Sequence, residues 1–310
     1  MNSMIEVKNL TKDYGFNRGV FDISFHIEKG EVFGFLGPNG AGKSTTVRHL
    51  MGFSKPDKGD TTIYQMSTFE NYDKILKHVG YIPGELALPS GLTGKAFIRH
   101  IEDLTKNKNP ERQKILLDKF ELSNKELSLP TKQMSLGSKR KLIIVSAFMH
   151  DPDIYILDEP TSGLDPFMQD VFIELIKEEK KRGKTILFSS HIFNEIDATC
   201  DRISIIKDGR IVSSFNAHDF KHNQDKLYEL TFKNQSDYLT LLKSKNDWIT
   251  IVDITPVDFK IIVSVNDQHI NEFIDLLKNL DILHFHHMKE TLESYFLSFY
   301  SEDKNFGGIE

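Results

Sequence analysis

The chain has 310 residues, 39 Lys and Arg against 45 Asp and Glu, a net charge of −6 and a single cysteine. That length allows one large domain or two smaller ones with a sizeable core. The acidic balance argues against a nucleic-acid binder that relies on a broad basic surface, and one cysteine excludes an intramolecular disulfide and a Cys-based metal site.

From the start, MNSMIEVKNLTKDYG carries acids and no apolar run, so no signal peptide is expected. The longest apolar runs, such as LIIV at 142–145, fall far short of the ~20 residues of a membrane helix, and no span is expected. MIEVKNL (4–10) and VFDISFHI (20–27) alternate apolar and polar residues and predict a small antiparallel sheet. EVFGFL (31–36) is a short apolar strand that ends in GPNGAGKST, after which Val47, Leu50 and Met51 recur at helical spacing. HVGYI (78–82) predicts a second strand, and from about Glu85 to about His150 the pattern is helical. Strands return at 153–158, 185–190 and 202–209 with helices at about 166–182 and 192–199 between them, which predicts a mostly parallel sheet flanked by helices.

The polar stretch HDFKHNQDK (218–226) reads as a linker. Beyond it the pattern gives strand (227–232), helix (236–244), strand (249–256), strand (259–265), helix (269–279), strand (282–287) and a last helix (291–300). The first six of these have the split β-α-β-β-α-β order. The expected organisation is therefore an α/β domain over 1–220 with a helical subdomain at about 85–150, a linker at 221–226, a small α+β ferredoxin-like domain over 227–300 and a tail at 301–310. Cys200 reads as a small packed residue. His284, His286 and His287 lie on the predicted 282–287 strand, with 284 and 286 on one face. No carboxylate or cysteine is placed locally to complete a metal set, and none is assigned.

GPNGAGKS at 37–44 fits G-x-x-x-x-G-K-[ST] between a strand and a helix. Its glycines let successive N–H groups face phosphates, and the helix N-terminus adds partial positive charge. Gly37, Asn39, Gly40, Ala41, Gly42, Lys43, Ser44 and Thr45 are thus the candidate nucleotide binders, with Lys43 reaching the β- and γ-phosphates and Ser44 ligating Mg²⁺. IYILDEP (154–160) is an apolar strand ending in two acids, where a parallel sheet places its ligands. Asp158 would hold Mg²⁺ through water and Glu159 would take a proton from the attacking water.

With these motifs in order, DEPTSGLDP at 158–166 resembles the Walker B and D-loop of ATP-binding cassette (ABC) ATPases, a likeness that covers about residues 4–215. The resemblance implies a P-loop NTPase fold with an antiparallel β subdomain and a helical subdomain, using ATP and Mg²⁺. It makes Tyr14 the adenine-stacking aromatic, His191 the switch histidine at the γ-phosphate and Asp165 the D-loop acid at the dimer interface. Met134 to Ser138 occupy the place of the family's LSGGQ-like signature, keeping its serine as Ser135 and its second glycine as Gly137. The resemblance implies that these two act on ATP held by the other subunit, and a helix start with free N–H groups suits that job. Lys139, Arg140 and Lys141 read as a solvated basic face. Two positions depart from the family pattern: Leu136 replaces a glycine, and YIPGE stands where the family carries a glutamine. Glu85 is the nearest replacement and a third candidate metal contact.

Sequences of this GYxPGE kind resemble ABC ATPases that serve separate export-type permeases, including antibiotic-resistance exporters. Their extra C-terminal piece ends in an LE-x-x-F-like helix, here Leu292, Glu293 and Phe296. The resemblance therefore implies an ATP-hydrolysing subunit, catalytic through Lys43, Glu159 and His191. It would dimerise head to tail, as a homodimer or heterodimer, around two MgATP. It would drive an integral membrane permease on another chain from the cytoplasmic face of the cell membrane, as a peripheral protein without nucleic acid. The alternative is a soluble ABC-type ATPase that remodels a protein or nucleic-acid assembly. A single cassette, with neither a long heptad run nor an N-K-x-D motif, disfavours translation-factor, chromosome-type and GTPase versions.

Overall fold

The computed structural model describes residues 3–221, 225–244, 246–288 and 291–301. The chain divides between Ala217 and His218 into two compact units. In the first, the elements follow in the order β1 (Ser3–Asp13), β2 (Gly19–Glu28), β3 (Val32–Leu36), α1 (Lys43–Leu50), β4 (Lys58–Ile63), β5 (Met66–Ser67), α2 (Tyr72–Ile75) and β6 (Val79–Ile82). A helical stretch follows with α3 (Gly94–Thr105), α4 (Pro110–Lys119), α5 (Asn124–Leu127) and α6 (Leu136–Phe148). The unit closes with β7 (Ile154–Asp158), α7 (Pro166–Lys181), β8 (Thr185–Ser190), α8 (Phe193–Thr199), β9 (Arg202–Lys207) and β10 (Arg210–Asn216), and α9 (Ala217–Lys221) follows across the division.

Two sheets form the first unit. The antiparallel one has the order β2-β1-β4-β5, and the larger one β10-β9-β3-β8-β7-β6, parallel apart from the β9–β10 pair. β3 and β7 are buried along their whole length, as strands covered on both faces must be. Ile5, Ile23 and Phe25 of the small sheet share one apolar core with Val47 and Leu50 of α1 and with Phe33, Ile156 and Leu187 of the large sheet. Phe25 stacks on Phe33 with ring centroids 5.0 Å apart. This shared core fixes the small sheet over α1 and so fixes the loop that precedes α1.

Helix starts obey local chemistry. Asp165 caps α7 by accepting from the Met168 N–H at 3.0 Å, with Pro166 in the first turn where its missing N–H costs nothing. Ser135 caps α6 by accepting from Ser138 N–H at 3.1 Å. Beyond that cap α6 is buried on every side from Leu142 to Phe148, the mark of an internal helix.

The second unit runs β11 (Asp225–Phe232), α10 (Gln235–Lys243), β12 (Ile249–Thr255), β13 (Lys260–Asn266), α11 (Ile270–Leu277), β14 (Ile282–Met288) and α12 (Leu292–Ser301). Its sheet, ordered β12-β13-β11-β14, is antiparallel throughout, the ferredoxin-like arrangement. Leu230, Phe232, Ile261, Val263 and Val265 pack against Tyr238 and Leu241 of α10 and Phe273 of α11. Leu292 and Phe296 are buried along α12.

Three differences from expectation have physical reasons. β4 and β5 were not anticipated because KGDTTI carries a glycine and an aspartate. Only Thr61 and Ile63 of β4 are buried, and its edge pairing with β1 comes from the tertiary fold. β10 was missed although Asp208 and Gly209, both at positive φ, form the tight turn that Asp-Gly favours in a hairpin. The 221–226 linker is shorter than expected: Lys221 ends α9, and Asp225 and Lys226 already belong to β11. Asp225 is held there by its pairing with Asn266, whose Nδ2 donates to its carboxylate at 3.0 Å. Residues 222–224 of that linker and 302–310 of the expected tail lie outside the described residues.

Candidate active site

The carboxyl ends of β3, β7 and β8 meet at one rim of the large sheet, and the loops leaving them carry the expected residues. After β3 the chain turns through 37–42 into α1. Gly42 caps that helix at φ 111°, and a Cβ on it would come within 2.8 Å of Val20, so only glycine fits. The loop is tied to its surroundings by Gly37 N–H donating to Ser190 O (3.4 Å) and Gly209 N–H donating to Ala41 O (2.9 Å). Asn39 and Gly40 are exposed at its tip, Ser44 is exposed on α1 and Thr45 half-buried beside it.

Lys43 is only 5% exposed. Its ammonium donates to Gly37 O (2.6 Å) and Pro38 O (3.0 Å) and pairs with Glu159 Oε1 at 2.9 Å. The two carbonyls use two of its three donors, and the Glu159 contact is an ion pair in which Oε1 accepts no hydrogen bond among the described residues. Glu159 sits at φ 47°, a left-handed conformation that costs a non-glycine residue energy and that clusters at functional sites. Its amide donates to Ser189 O at 3.0 Å, and its second carboxylate oxygen lies 2.6 Å from His191 Nδ1. Glu159 thus touches both Lys43 and His191, although the three come from separate segments, the start of α1 and the chain after β7 and after β8.

Asp158, buried at the end of β7, accepts from Ser189 Oγ at 2.5 Å. A Cβ built on Gly84 would lie 2.9 Å from Asp158 Oδ2 and 3.7 Å from Ser44 Oγ, so the missing side chain leaves the carboxylate and the hydroxyl facing one small space. A hydroxyl and one carboxylate are hard oxygen donors that suit Mg²⁺, which binds through one or two carboxylates together with substrate phosphates. Glu85, next along the chain, is exposed. Tyr81, on the strand leading to it, has its hydroxyl pushed up to about 12 by burial and by the charge of Asp158.

Other expected residues lie apart from this cluster. Tyr14 is half-exposed in the β1–β2 turn, its ring 6.0 Å from Lys12 Nζ. Ser135 Oγ donates to Ser138 Oγ (2.9 Å), which in turn donates to Glu126 Oε1 (2.8 Å). Gly137 is half-buried, and Asp165 is exposed at the start of α7. Among the described residues no hydrogen bond or ion pair joins Tyr14, Glu85, Ser135 or Asp165 to Lys43, Glu159 or His191.

One expectation is overturned. Arg140 is not part of a solvated basic face; it is 2% exposed. Its Nε donates to Ser162 O (2.8 Å), and its two Nη atoms donate to Pro83 O (2.9 Å) and Gly84 O (3.0 Å). Side chains in a helix lean toward its N-terminus, which carries the guanidinium over the first turn of α6 and into the adjoining loops.

Glu195 was also missed. It is buried on α8, accepts from Thr161 Oγ1 and from Ser190 Oγ (2.7 Å), and so joins the loop after Glu159 to the residue before His191. Burial pushes its carboxyl above the ordinary range. Its place four residues after His191, one helical turn on, was the available signal.

Among the described residues no group of three or more His, Cys, Asp or Glu side chains could hold a metal by itself. Glu229 lies opposite His286 across the β11–β14 pair, but Lys260 Nζ engages it at 2.6 Å. No described helix is long and apolar enough to cross a membrane.

Comparison with known proteins follows the same lines. Residues 20–162 match the family described as ABC transporter. The chain is 32% identical, over 98% of its own length and of its relative's, to the uncharacterized ABC transporter ATP-binding protein YhcH of Bacillus subtilis (strain 168). It is 33% identical to the bacitracin transport ATP-binding protein BcrA of Bacillus licheniformis, covering 80% of this chain and 81% of that one. Among solved structures, the dimeric bacterial ABC transporter cassette MJ0796 superposes with a TM-score of 0.60 at 25% identity, covering 69% of this chain and 99% of that chain.

Proposed function

The chain belongs to the ATP-binding proteins of the ABC transporter family and is an ATPase, and from that premise we propose that two copies close head to tail around two MgATP to drive an export-type permease on a separate chain. The observation that carries the catalytic part is the contact of Lys43, Glu159 and His191 at the strand ends.

In this reading the amides of Gly37 to Thr45 and the Lys43 ammonium hold the β- and γ-phosphates. Gly37 O and Pro38 O hold two of the Lys43 donors and Glu159 is its ion-pair partner, so a phosphate that reaches the ammonium competes with Glu159. The exchange frees the Glu159 carboxylate to accept the proton of the attacking water. His191, hydrogen-bonded to Glu159, orients that carboxylate and turns toward the γ-phosphate. Ser44 and Asp158 would hold Mg²⁺, which would supply positive charge to offset that of the phosphates. Glu85, exposed beside Gly84, is a further contact to that ion or its waters. Tyr14 stacks on adenine, Ser135 and Gly137 bind the γ-phosphate held by the second copy, and Asp165 crosses to that copy.

The permease reading is supported by a groove within the first unit. It has a volume of about 490 Å³ and lies between α3, with Ile101 and Leu104, and Phe53, Tyr72, Leu76 and Tyr81. Phe53, Tyr72 and Leu104 are each more than half exposed there. An apolar cleft of that kind, rimmed by polar residues, suits a protein segment. The likeness to a bacitracin transport protein supports transport, and the YIPGE stretch supports export. The protein would lie at the cytoplasmic face of the cell membrane.

The test is recovery of tagged Glu159→Gln protein from native membranes in mild detergent with ATP, its partners identified by mass spectrometry. A polytopic membrane partner is expected. Soluble partners alone, with a known peripheral protein recovered in parallel, would replace this reading with a remodelling ATPase.

A further inference from the structure

Arg140 presents a physical problem. A guanidinium this deeply buried would ordinarily face a carboxylate, because taking an unpaired charge out of water is costly. No carboxylate lies within ion-pair distance of it among the described residues; Asp158 and Glu159 act on it only through space. Its partners are the carbonyls of Ser162, Pro83 and Gly84.

Those carbonyls are not scattered. Gly84 lies against Asp158 and Ser44, the candidate Mg²⁺ holders. Ser162 lies three residues after Glu159 and three before Asp165. The helix that supplies Arg140 starts at Ser135, and Leu136 in its first turn packs against Gly163, next to Ser162. One rigid, planar fork therefore spans three segments: the α6 start, the loop after β6 and the loop after β7.

We propose that Arg140 is a positioning residue that makes these three segments move as one, so that capture of the partner copy's ATP at the α6 start is transmitted to this copy's own Mg²⁺-side loop and proton acceptor. The consequence is cooperativity between the two nucleotide sites. The inference rests on the dimeric reading above. A lysine could keep the charge but not the fork, and a glutamine is too short to reach both loops.

The test compares wild type, Arg140→Gln and Arg140→Lys. Turnover is measured against ATP and against Mg²⁺ concentration, a fluorescent ATP analogue is titrated without Mg²⁺, and melting temperatures are recorded. In Arg140→Gln, analogue affinity should stay within about threefold of wild type while kcat falls at least about tenfold, the scale on which slight misplacement acts. The Hill coefficient should fall toward 1 in both variants. Wild-type kcat and Hill coefficient in a folded Arg140→Gln overturn the proposal. So does a parallel fall of kcat, analogue affinity and melting temperature, which marks a merely structural residue. If Arg140→Gln does not fold, Arg140→Lys decides: a wild-type Hill coefficient there overturns the proposal. A wild type no more active than Lys43→Ala would instead overturn the ATPase reading beneath it.

Discussion

Replacing Glu159 by glutamine separates two roles that its carboxylate holds at once. Its Oε1 is 2.9 Å from Lys43 Nζ, with the two side chains only 14% and 5% exposed. At an effective dielectric of about 20, unit charges at that distance attract by about 6 kcal/mol. The variant would not recover that whole amount, because glutamine keeps a carbonyl acceptor and Lys43 keeps Gly37 O and Pro38 O. The difference that remains, a charged against a neutral partner of the ammonium, is about 1–2 kcal/mol. Since ATP must take Lys43 from Glu159, Glu159→Gln should bind nucleotide about 5- to 30-fold more tightly than wild type. The same change removes the proton acceptor and should slow hydrolysis by about 10²–10⁴. A fluorescent ATP analogue titrated without Mg²⁺ reads the first effect, and single-turnover phosphate release reads the second. Equal or weaker binding in a folded variant would refute the competition between Glu159 and phosphate for Lys43. Near-normal turnover would remove Glu159 as the base.

Lys43→Ala should abolish detectable analogue binding and turnover together; turnover equal to wild type would separate the loop from the chemistry. Gly163→Ala places a Cβ 3.0 Å from Leu136 Cδ2 at φ +86°, so it should lose about 1–2 kcal/mol of stability by chemical denaturation, and an unchanged midpoint would contradict that. Burial raises the Glu195 carboxyl above its ordinary value, so the fold favours the neutral acid. Its contribution is complete below the unfolded value and is lost as pH rises through the raised one. Glu195→Gln escapes that loss, and its melting temperature should gain on wild type as pH rises above the ordinary carboxyl range; a gap that does not change with pH would contradict the assignment.

The parts of the site that were readable in the sequence are those whose chemistry is continuous along the chain. GPNGAGKS carries strand, turn, lysine and helix start in one run, and IYILDEP puts two acids at a strand end. The split β-α-β-β-α-β order of the second unit was readable for a similar reason, since each element has a clean period of its own. Arg140 was misread because it stands between Lys139 and Lys141. Nothing local says that it alone turns inward, and the carbonyls that receive it come from Pro83, Gly84 and Ser162. Glu195 was passed over because one of its two hydroxyl partners, Thr161, is 34 residues away. β4 was hidden by its own polarity, and it is a strand only because β1 offers it an edge. What the sequence hid, in each case, was a long-range contact made by a residue whose type usually faces water.

The head-to-tail ATP sandwich is the central claim, and its most direct test is the mass of Glu159→Gln in solution by light scattering, with ATP and Mg²⁺ and then with ADP and Mg²⁺. Slowed hydrolysis should trap twice the chain mass with ATP and leave the single chain with ADP. A single chain in both, at ATP concentrations that saturate analogue binding, would contradict the account.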